Sequence, residues 1–404
     1  MPVDASSFAT KDVSVSKPGA ASSRGLWFPL TVFAFSLILF LLVRGYARIG
    51  SHITQPLVWD GSWYQQIIEQ GYFTDGNLYQ SSNVVYAPLY PMLCAGVKRL
   101  FSIPTFYAML IVSAGCTLGA MVKLYRLLAR MTSESVAKWS LLFLAFGPFS
   151  VFLYCGYSEP LFLFLAVLFF GALIDERWVT AGVIAGVASA SRPYGPIMAL
   201  TLAFAAARSY YLANGWKLNL KAWQLQGAAI GLPLCFTGTA AFSLYLYHRF
   251  SDPLLFIHNG LSWTDTGSQS PVFDGLAFAY IPRGVMESFR YFGPFSPGLV
   301  GLVLFALGPV IIFWLWRELP PLVIFFMLAS FLFLHVTLLE RDVEIVNLGR
   351  HFTLLPFYPL LLALAVDPKR IARFKFVPAV LMLLGFMALN IGYTIMYFYK
   401  RFVS

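Results

Sequence analysis

Residues 26–43 read LWFPLTVFAFSLILFLLV, an apolar run without a charged residue that ends at Arg44. A helix needs about 20 such residues to cross the hydrocarbon core of a bilayer. The run is longer than the core of a typical signal peptide, and no clear small-x-small cleavage site follows it, so it reads as a retained first helix. Comparable runs recur at 105–128, 137–154, 159–175, 178–190, 194–211, 225–248, 298–316, 321–339, 351–366 and 377–399. Residues 86–101 are apolar but short and contain Pro88 and Pro91, which suits a re-entrant or interface-lying segment. The expected fold is therefore an all-α polytopic membrane protein with about ten or eleven spans. The 178–190 run is short, but Gly182 and Gly186 lie one helical turn apart and provide a small-residue face for close helix packing.

Composition supports this reading. Of 404 residues, 59% are hydrophobic and 11% charged, against about 25% charged in soluble domains. The net charge of +10 is spread over short connections rather than gathered in a patch, which argues against nucleic acid as a partner. Cys94, Cys116, Cys155 and Cys235 form no C-x-x-C pair and sit in apolar surroundings, as small hydrophobes do. Residues 1–25 are expected to be a disordered cytoplasmic tail, and residues 26–404 a single transmembrane domain.

Lysines and arginines set the expected orientation. They cluster around the 130s (Lys123, Arg126, Arg130, Lys138), at 208–222 (Arg208, Lys217, Lys221) and at 367–376 (Lys369, Arg370, Arg373, Lys375). If all three connections are cytoplasmic, the spans alternate consistently and the N-terminus is cytoplasmic too. The loops 44–104, 155–158, 191–194, 249–297 and 340–350 then share the other face. The two longest, 44–85 and 249–297, can form a common cavity there.

These loops hold the polar residues that look out of place. The first contains Trp59-Asp60-Gly61-Ser62-Trp63-Tyr64, followed by Ile67 and Ile68. Trp59, Trp63 and Ile67, with Tyr64 and Ile68, fall at helical spacing and predict an apolar face lying along the membrane surface. Asp60 opens that helix, where the dipole favours its charge. The residues alone leave two roles open for it: a helix cap, or a carboxylate placed to take a proton from a hydroxyl. Polar residues recur at Tyr86-Ala87-Pro88-Leu89-Tyr90-Pro91, Tyr157-Ser158-Glu159-Pro160, Ser191-Arg192-Pro193-Tyr194-Gly195 and Asn347-Leu348-Gly349-Arg350-His351. Ionisable residues at a membrane edge are costly and often functional.

This ordered set, W-D-x-x-W-Y-x-x-I-x-x-x-G-Y, A-P-L-Y-P, S-E-P-L-F, S-R-P-Y-G and R-H-F-x-L-L-P-F-Y-P, resembles the PIG-V-type mannosyltransferases. These belong to the GT-C glycosyltransferases, which use lipid-linked sugars. Asp252-Pro253-Leu254-Leu255-Phe256-Ile257-His258, followed by Trp263, matches the family's pattern in the late loop. The resemblance implies a GT-C-like bundle with a catalytic first loop at 44–104 and a second large loop at 249–297. It implies an inverting transfer of a sugar, typically mannose, from a polyprenyl- or dolichyl-phosphate donor to a hydroxyl of a glycolipid or glycan acceptor. Asp60 is implied as the general base. Arg192 and Arg350 are implied to hold the phosphate, His351 or His258 to bond phosphate or sugar, and Glu159 to orient the sugar or Arg192. Trp59, Trp63, Tyr64 and Tyr86 complete the implied substrate site. The family's eukaryotic members often carry a histidine shortly after W-D, where this chain has Gly61, Ser62 and Trp63, so the acceptor class stays open.

Other classes fit less well. No G-x-G-x-x-G, Walker A or D-x-D pattern occurs, so a nucleotide-sugar enzyme is not indicated. No cofactor is expected. His52, His248, His258, His335 and His351 include no i, i+4 pair, and no metal site is expected. A lipid or solute transporter is the alternative reading, but the chain lacks the paired, symmetric halves of one and leaves the Trp/Asp loop unexplained. An inactive subunit on the same fold would not need Asp60. The absence of an N-x-Ser/Thr sequon leans toward a bacterial plasma membrane rather than the endoplasmic reticulum.

Overall fold

A computed structural model describes residues 23–50, 57–74, 82–217, 219–260, 293–338, 348–367 and 376–399. The N-terminal tail up to residue 22, Trp263 with most of the second loop, and the basic 368–375 connection fall outside the described residues. Each of the eleven apolar runs contains helix. The helices are α1 (Trp27–Gly50), α2 (Asp60–Gln70), α3 (Leu89–Phe101), α4 (Thr105–Met131), α5 (Glu134–Phe146), α6 (Glu159–Ile174), α7 (Trp178–Ser189) and α8 (Gly195–Asn214). They continue with α9 (Trp223–Leu234), α10 (Thr237–Phe250), α11 (Leu255–Gly260), α12 (Pro297–Leu315), α13 (Pro321–Leu338), α14 (Leu348–His351), α15 (Tyr358–Ala365) and α16 (Val377–Phe398).

Five of these are long and apolar enough to cross a membrane: Trp27–Ile49, Thr105–Met131, Trp223–Phe250, Pro297–Leu315 and Val377–Phe398. The third joins α9 and α10. Residues 348–354 and 358–365 form a sixth candidate, bent by 92°. Of the remaining expected spans, α5, α6 and α7 are shorter helices of 13, 16 and 12 residues while α8 has 20, and the breaks have local causes. The 137–154 run stops being helical at Gly147-Pro148, where proline has no N–H to continue the ladder. The carbonyls freed there are bonded: Ser150 Oγ donates to Leu144 O and Gly147 O at 2.8 Å, and Asn390 Nδ2 donates to Gly147 O at 2.8 Å. Such re-satisfaction is what an irregular backbone needs at membrane depth. The 351–366 run breaks in the same way around Pro356.

The short helix α7 packs through its glycines. A Cβ on Gly182 would lie 2.2 Å from Gly231 O, and one on Gly186 2.2 Å from Leu234 O. The backbones of α7 and α9 therefore touch, as the Gly182/Gly186 face predicts. Phe170 of α6 meets Phe326 of α13 and Phe357, beside the α14/α15 break, edge-on at 4.7 and 4.6 Å.

One expectation is corrected. The apolar face of α2 does not lie along the membrane surface. Tyr64 and Ile67 are buried against Tyr90, Cys94, Met109 and Val112 of α3 and α4. α3 carries the exposed apolar face instead, through Met92, Leu93, Leu100 and Phe101. Its 13 residues are too few to span a bilayer, which agrees with an interface-lying or re-entrant segment. Cys94, Cys155 and Cys235 are buried, Cys116 is half-buried, and all four are free thiols.

Candidate active site

Asp60 is the first residue of α2. The residue before it, Trp59, has φ 54° and ψ −131°, a conformation that costs a side chain about 1–3 kcal/mol and persists only where the surroundings impose it. The turn is held by Gly61 N donating to Val58 O, by Asp60 N donating to Tyr157 Oη at 3.2 Å, and by Tyr397 Oη donating to Val58 O at 3.1 Å. The Asp60 carboxylate is not used as a helix cap. Its Oδ1 accepts from Tyr86 Oη at 3.1 Å, and its Oδ2 accepts from Arg350 Nη1 at 2.6 Å, across 290 positions of sequence.

Arg350 follows Gly349, whose place is forced by packing. A Cβ there would lie 2.0 Å from Cζ of Phe149, a buried ring at the α5 break. Glycine lets the chain pass against Phe149 and aim Arg350 toward Asp60. Arg350 Nε lies 3.9 Å from Glu159 Oε1, and that same carboxylate is in ion-pair contact with Arg192. Glu159 opens α6 at the favourable end of its dipole, followed by Pro160, and is fully buried. Arg192 sits in the turn between α7 and α8 and also donates from Nε to Ser158 Oγ at 3.2 Å. Ser158 Oγ accepts from Tyr64 Oη at 2.9 Å as well. The turn is tied to the first loop by Leu89 N donating to Ala190 O at 2.9 Å.

Asp60 of α2, Arg350 of α14, Glu159 at the start of α6 and Arg192 of the α7–α8 turn thus build one continuous array. It holds two carboxylates and two guanidiniums, so its formal charges sum to zero. The four side chains are between 0 and 16% exposed. Buried ions persist only when paired and hydrogen-bonded. Tyr86 completes the site as a neutral donor. Burial, with the Asp60 carboxylate beside it, pushes its phenol well above the ordinary value. The Trp63 ring is stacked near Tyr86, and Tyr64 lies edge-on to both Tyr86 and Tyr90.

Several buried polar atoms here lack a hydrogen-bond partner among the described residues: Arg350 Nε, both ring nitrogens of His351, Trp59 Nε1, Ser191 Oγ and Tyr194 Oη. Neither Glu159 oxygen takes a well-aligned hydrogen bond despite the ion pair. Unsatisfied buried groups are few in native proteins and call for an explanation.

The structure brings together Trp59, Asp60, Trp63, Tyr64, Tyr86, Glu159, Arg192 and Arg350, with His351 next to Arg350 along the chain. His258 stands apart: its Nδ1 pairs with Asp252 Oδ2 at 2.7 Å on an exposed surface. Its neighbour Asn259 accepts from Ser82 N and Oγ at 3.2 and 2.8 Å, and α11 packs on the Asn83–Val85 turn before Tyr86. Tyr157, Ser158 and Tyr397 hold the site but had no assigned role. The first two stand inside a motif read for Glu159; Tyr397 comes from the last helix, where no local pattern marks it. Among the described residues no three His, Cys, Asp or Glu side chains gather as a metal-ligand set.

Among the described residues the structure is a bundle of helices with buried charges at the helix ends, the fold class expected from the sequence. Solved structures of the oligosaccharyltransferase of Archaeoglobus fulgidus share it. The apo form matches with a TM-score of 0.54 and 15% identity, over 91% of this chain and 56% of that one. The complex with Zn and sulfate gives 0.53 and 14%, over 92% and 53%. The form tethered to an acceptor peptide containing the NVT sequon gives 0.51 and 14%, over 93% and 55%. At these identities the likeness is one of fold, and this chain spans little more than half the length of that protein. Neither protein-family models nor curated protein sequences give a match.

Proposed function

We propose that this chain is an inverting membrane glycosyltransferase. It moves a hexose, mannose by its motif resemblance, from a polyprenyl- or dolichyl-phosphate donor to a hydroxyl of a glycolipid or glycan acceptor. The observation that carries this reading is the Asp60–Arg350–Glu159–Arg192 array at one end of a membrane bundle, the level at which a lipid phosphate presents its head group. Asp60 Oδ takes the proton of the acceptor hydroxyl. The acceptor oxygen attacks the anomeric carbon, and the bond from that carbon to the phosphate oxygen breaks with its electron pair on the lipid phosphate. Arg350 and Arg192 compensate the charge that develops there, since guanidinium matches phosphate bidentately. Two of the roughly four acceptor positions of an ionised carboxylate are occupied on Asp60, leaving room for a hydroxyl.

In this reading Trp63 offers a half-buried ring to the sugar face, Trp59 and Tyr64 shape the pocket, and Tyr86 steers Asp60. His351, with unsatisfied ring nitrogens, bonds phosphate or sugar, and Glu159 positions both arginines. His258 reaches substrate only by leaving Asp252. The basic residues Arg130 and Lys138 lie at the other end of α4 and α5 from the site, which favours a non-cytoplasmic site. The missing sequon favours a bacterial plasma membrane.

Membranes containing the protein, supplied with polyprenyl-phosphate mannose, are expected to yield a lipid or glycan heavier by one hexose on mass analysis. Arg192→Ala is expected to weaken donor binding in particular. The absence of any hexose-bearing product, or a loss of acceptor binding alone in Arg192→Ala, contradicts the respective assignment.

A further inference from the structure

Among the described residues, the site presents no free cation to an incoming anion. Arg350 is bonded to Asp60 at 2.6 Å, Arg192 is paired with Glu159, and the four charges cancel. The group assigned as base is thus held by the group assigned to the phosphate. We infer that the Asp60–Arg350 pair is a latch that the donor's phosphate opens, so that donor binding activates the base. This rests on the lipid-phosphate reading above.

The geometry gives the latch its second position. Arg350 Nε is buried, lacks an acceptor, and stands 3.9 Å from Glu159 Oε1, beyond hydrogen-bonding distance. The guanidinium therefore has unused donor capacity toward the interior of the array while Nη1 is engaged with Asp60. A phosphate that takes up that capacity draws positive charge away from Asp60. The Asp60 carboxylate keeps the Tyr86 hydrogen bond but loses part of its counter-ion, which frees Oδ2 for the acceptor hydroxyl at the moment the electrophile is in place. Glu159, fully buried at the start of α6, keeps the second charge and prevents Arg350 from leaving with the ligand. Without donor, Asp60 is held by Arg350 at 2.6 Å. Asp60 and the phosphate thus compete for one guanidinium.

This competition has a signature that a general base alone does not have. The probe is methyl farnesyl phosphate, a monoanionic diester with the donor's linkage and no sugar, bound to the full-length protein in detergent. Asp60→Asn removes the competing charge and is expected to bind the probe about tenfold more tightly than wild type, about 1.4 kcal/mol. Tyr86→Phe removes Asp60's other hydrogen bond, leaves its charge to Arg350 alone, and is expected to weaken binding several-fold. Thermal unfolding of each variant verifies the fold. Equal or weaker binding by a folded Asp60→Asn overturns the latch. If that variant does not fold, unchanged or tighter binding by Tyr86→Phe overturns it. Failure of wild type and both variants to bind the probe overturns the lipid-phosphate reading itself, and the latch with it.

Discussion

Acidic and basic side chains pair at both ends of the helix bundle, but to different purpose. In the last turn of α4 and just past α6, Arg130 meets Asp175 at 2.8 Å with side chains 33 and 45% exposed. At the other end Arg350 meets Asp60 at 2.6 Å with side chains 16 and 15% exposed. The residue types and distances are alike; burial differs. An exposed pair gains about 0–1 kcal/mol and is screened by salt. A buried pair contributes little net stability when intact, yet removing one partner costs about 3–5 kcal/mol because a buried charge is left uncompensated. A protein has no stability reason to build the second kind from elements so far apart in the sequence. Such burial points to chemistry, as ionisable groups at membrane depth do in general.

Three substitutions can break this comparison. The largest effect on stability is expected from Glu159→Gln, which leaves two guanidiniums facing each other in a buried site; a loss of about 3–5 kcal/mol should appear as a lower thermal midpoint in detergent. A change no larger than that of a surface variant would mean that the array is wetter than its burial indicates. Gly349→Ala should be intermediate. Its new methyl collides with Phe149, and overpacking of this kind costs about 1–3 kcal/mol. Because the collision displaces Arg350, transfer should fall more than stability does, and parallel losses would argue against Gly349 as the residue that aims Arg350. The smallest effect belongs to Arg130→Ala at the opposite end, within about 1 kcal/mol and with transfer unchanged. A large loss there would erase the distinction between the two ends.

Much of the fold was legible in the sequence because hydrophobicity is written locally. Each apolar run of the chain contains helix, and the Gly182/Gly186 spacing announced a close helix contact at α7, though not that α9 makes it. The breaks were harder to see. Gly147-Pro148 and Pro356 lie inside runs that read as continuous by apolarity, and only the helices around them show where Ser150 and Asn390 take over the freed carbonyls. The inward face of α2 was visible as a stripe, but its cover comes from Tyr90, Cys94 and Met109, which no local pattern links to Tyr64. The site was legible as a set of residues and not as an arrangement. Asp60, Glu159, Arg192 and Arg350 stood out because charge is rare in this chain. Their pairing, with Arg350 on Asp60 across 290 positions and Arg192 on Glu159, follows from tertiary packing alone. His258 stood out for the same reason of rarity, yet it pairs with Asp252 outside the array.

Asp60 is proposed to take the acceptor's proton in transfer from a lipid-phosphate sugar. The direct test compares wild type and Asp60→Asn in the same membranes, at matched protein abundance, for single-turnover transfer of radiolabelled mannose from polyprenyl-phosphate mannose. A positioned general base contributes about 10²–10⁴-fold, and a loss of that size is expected in the variant, with no loss of binding to a lipid phosphodiester. Transfer by Asp60→Asn at the wild-type rate would contradict the account.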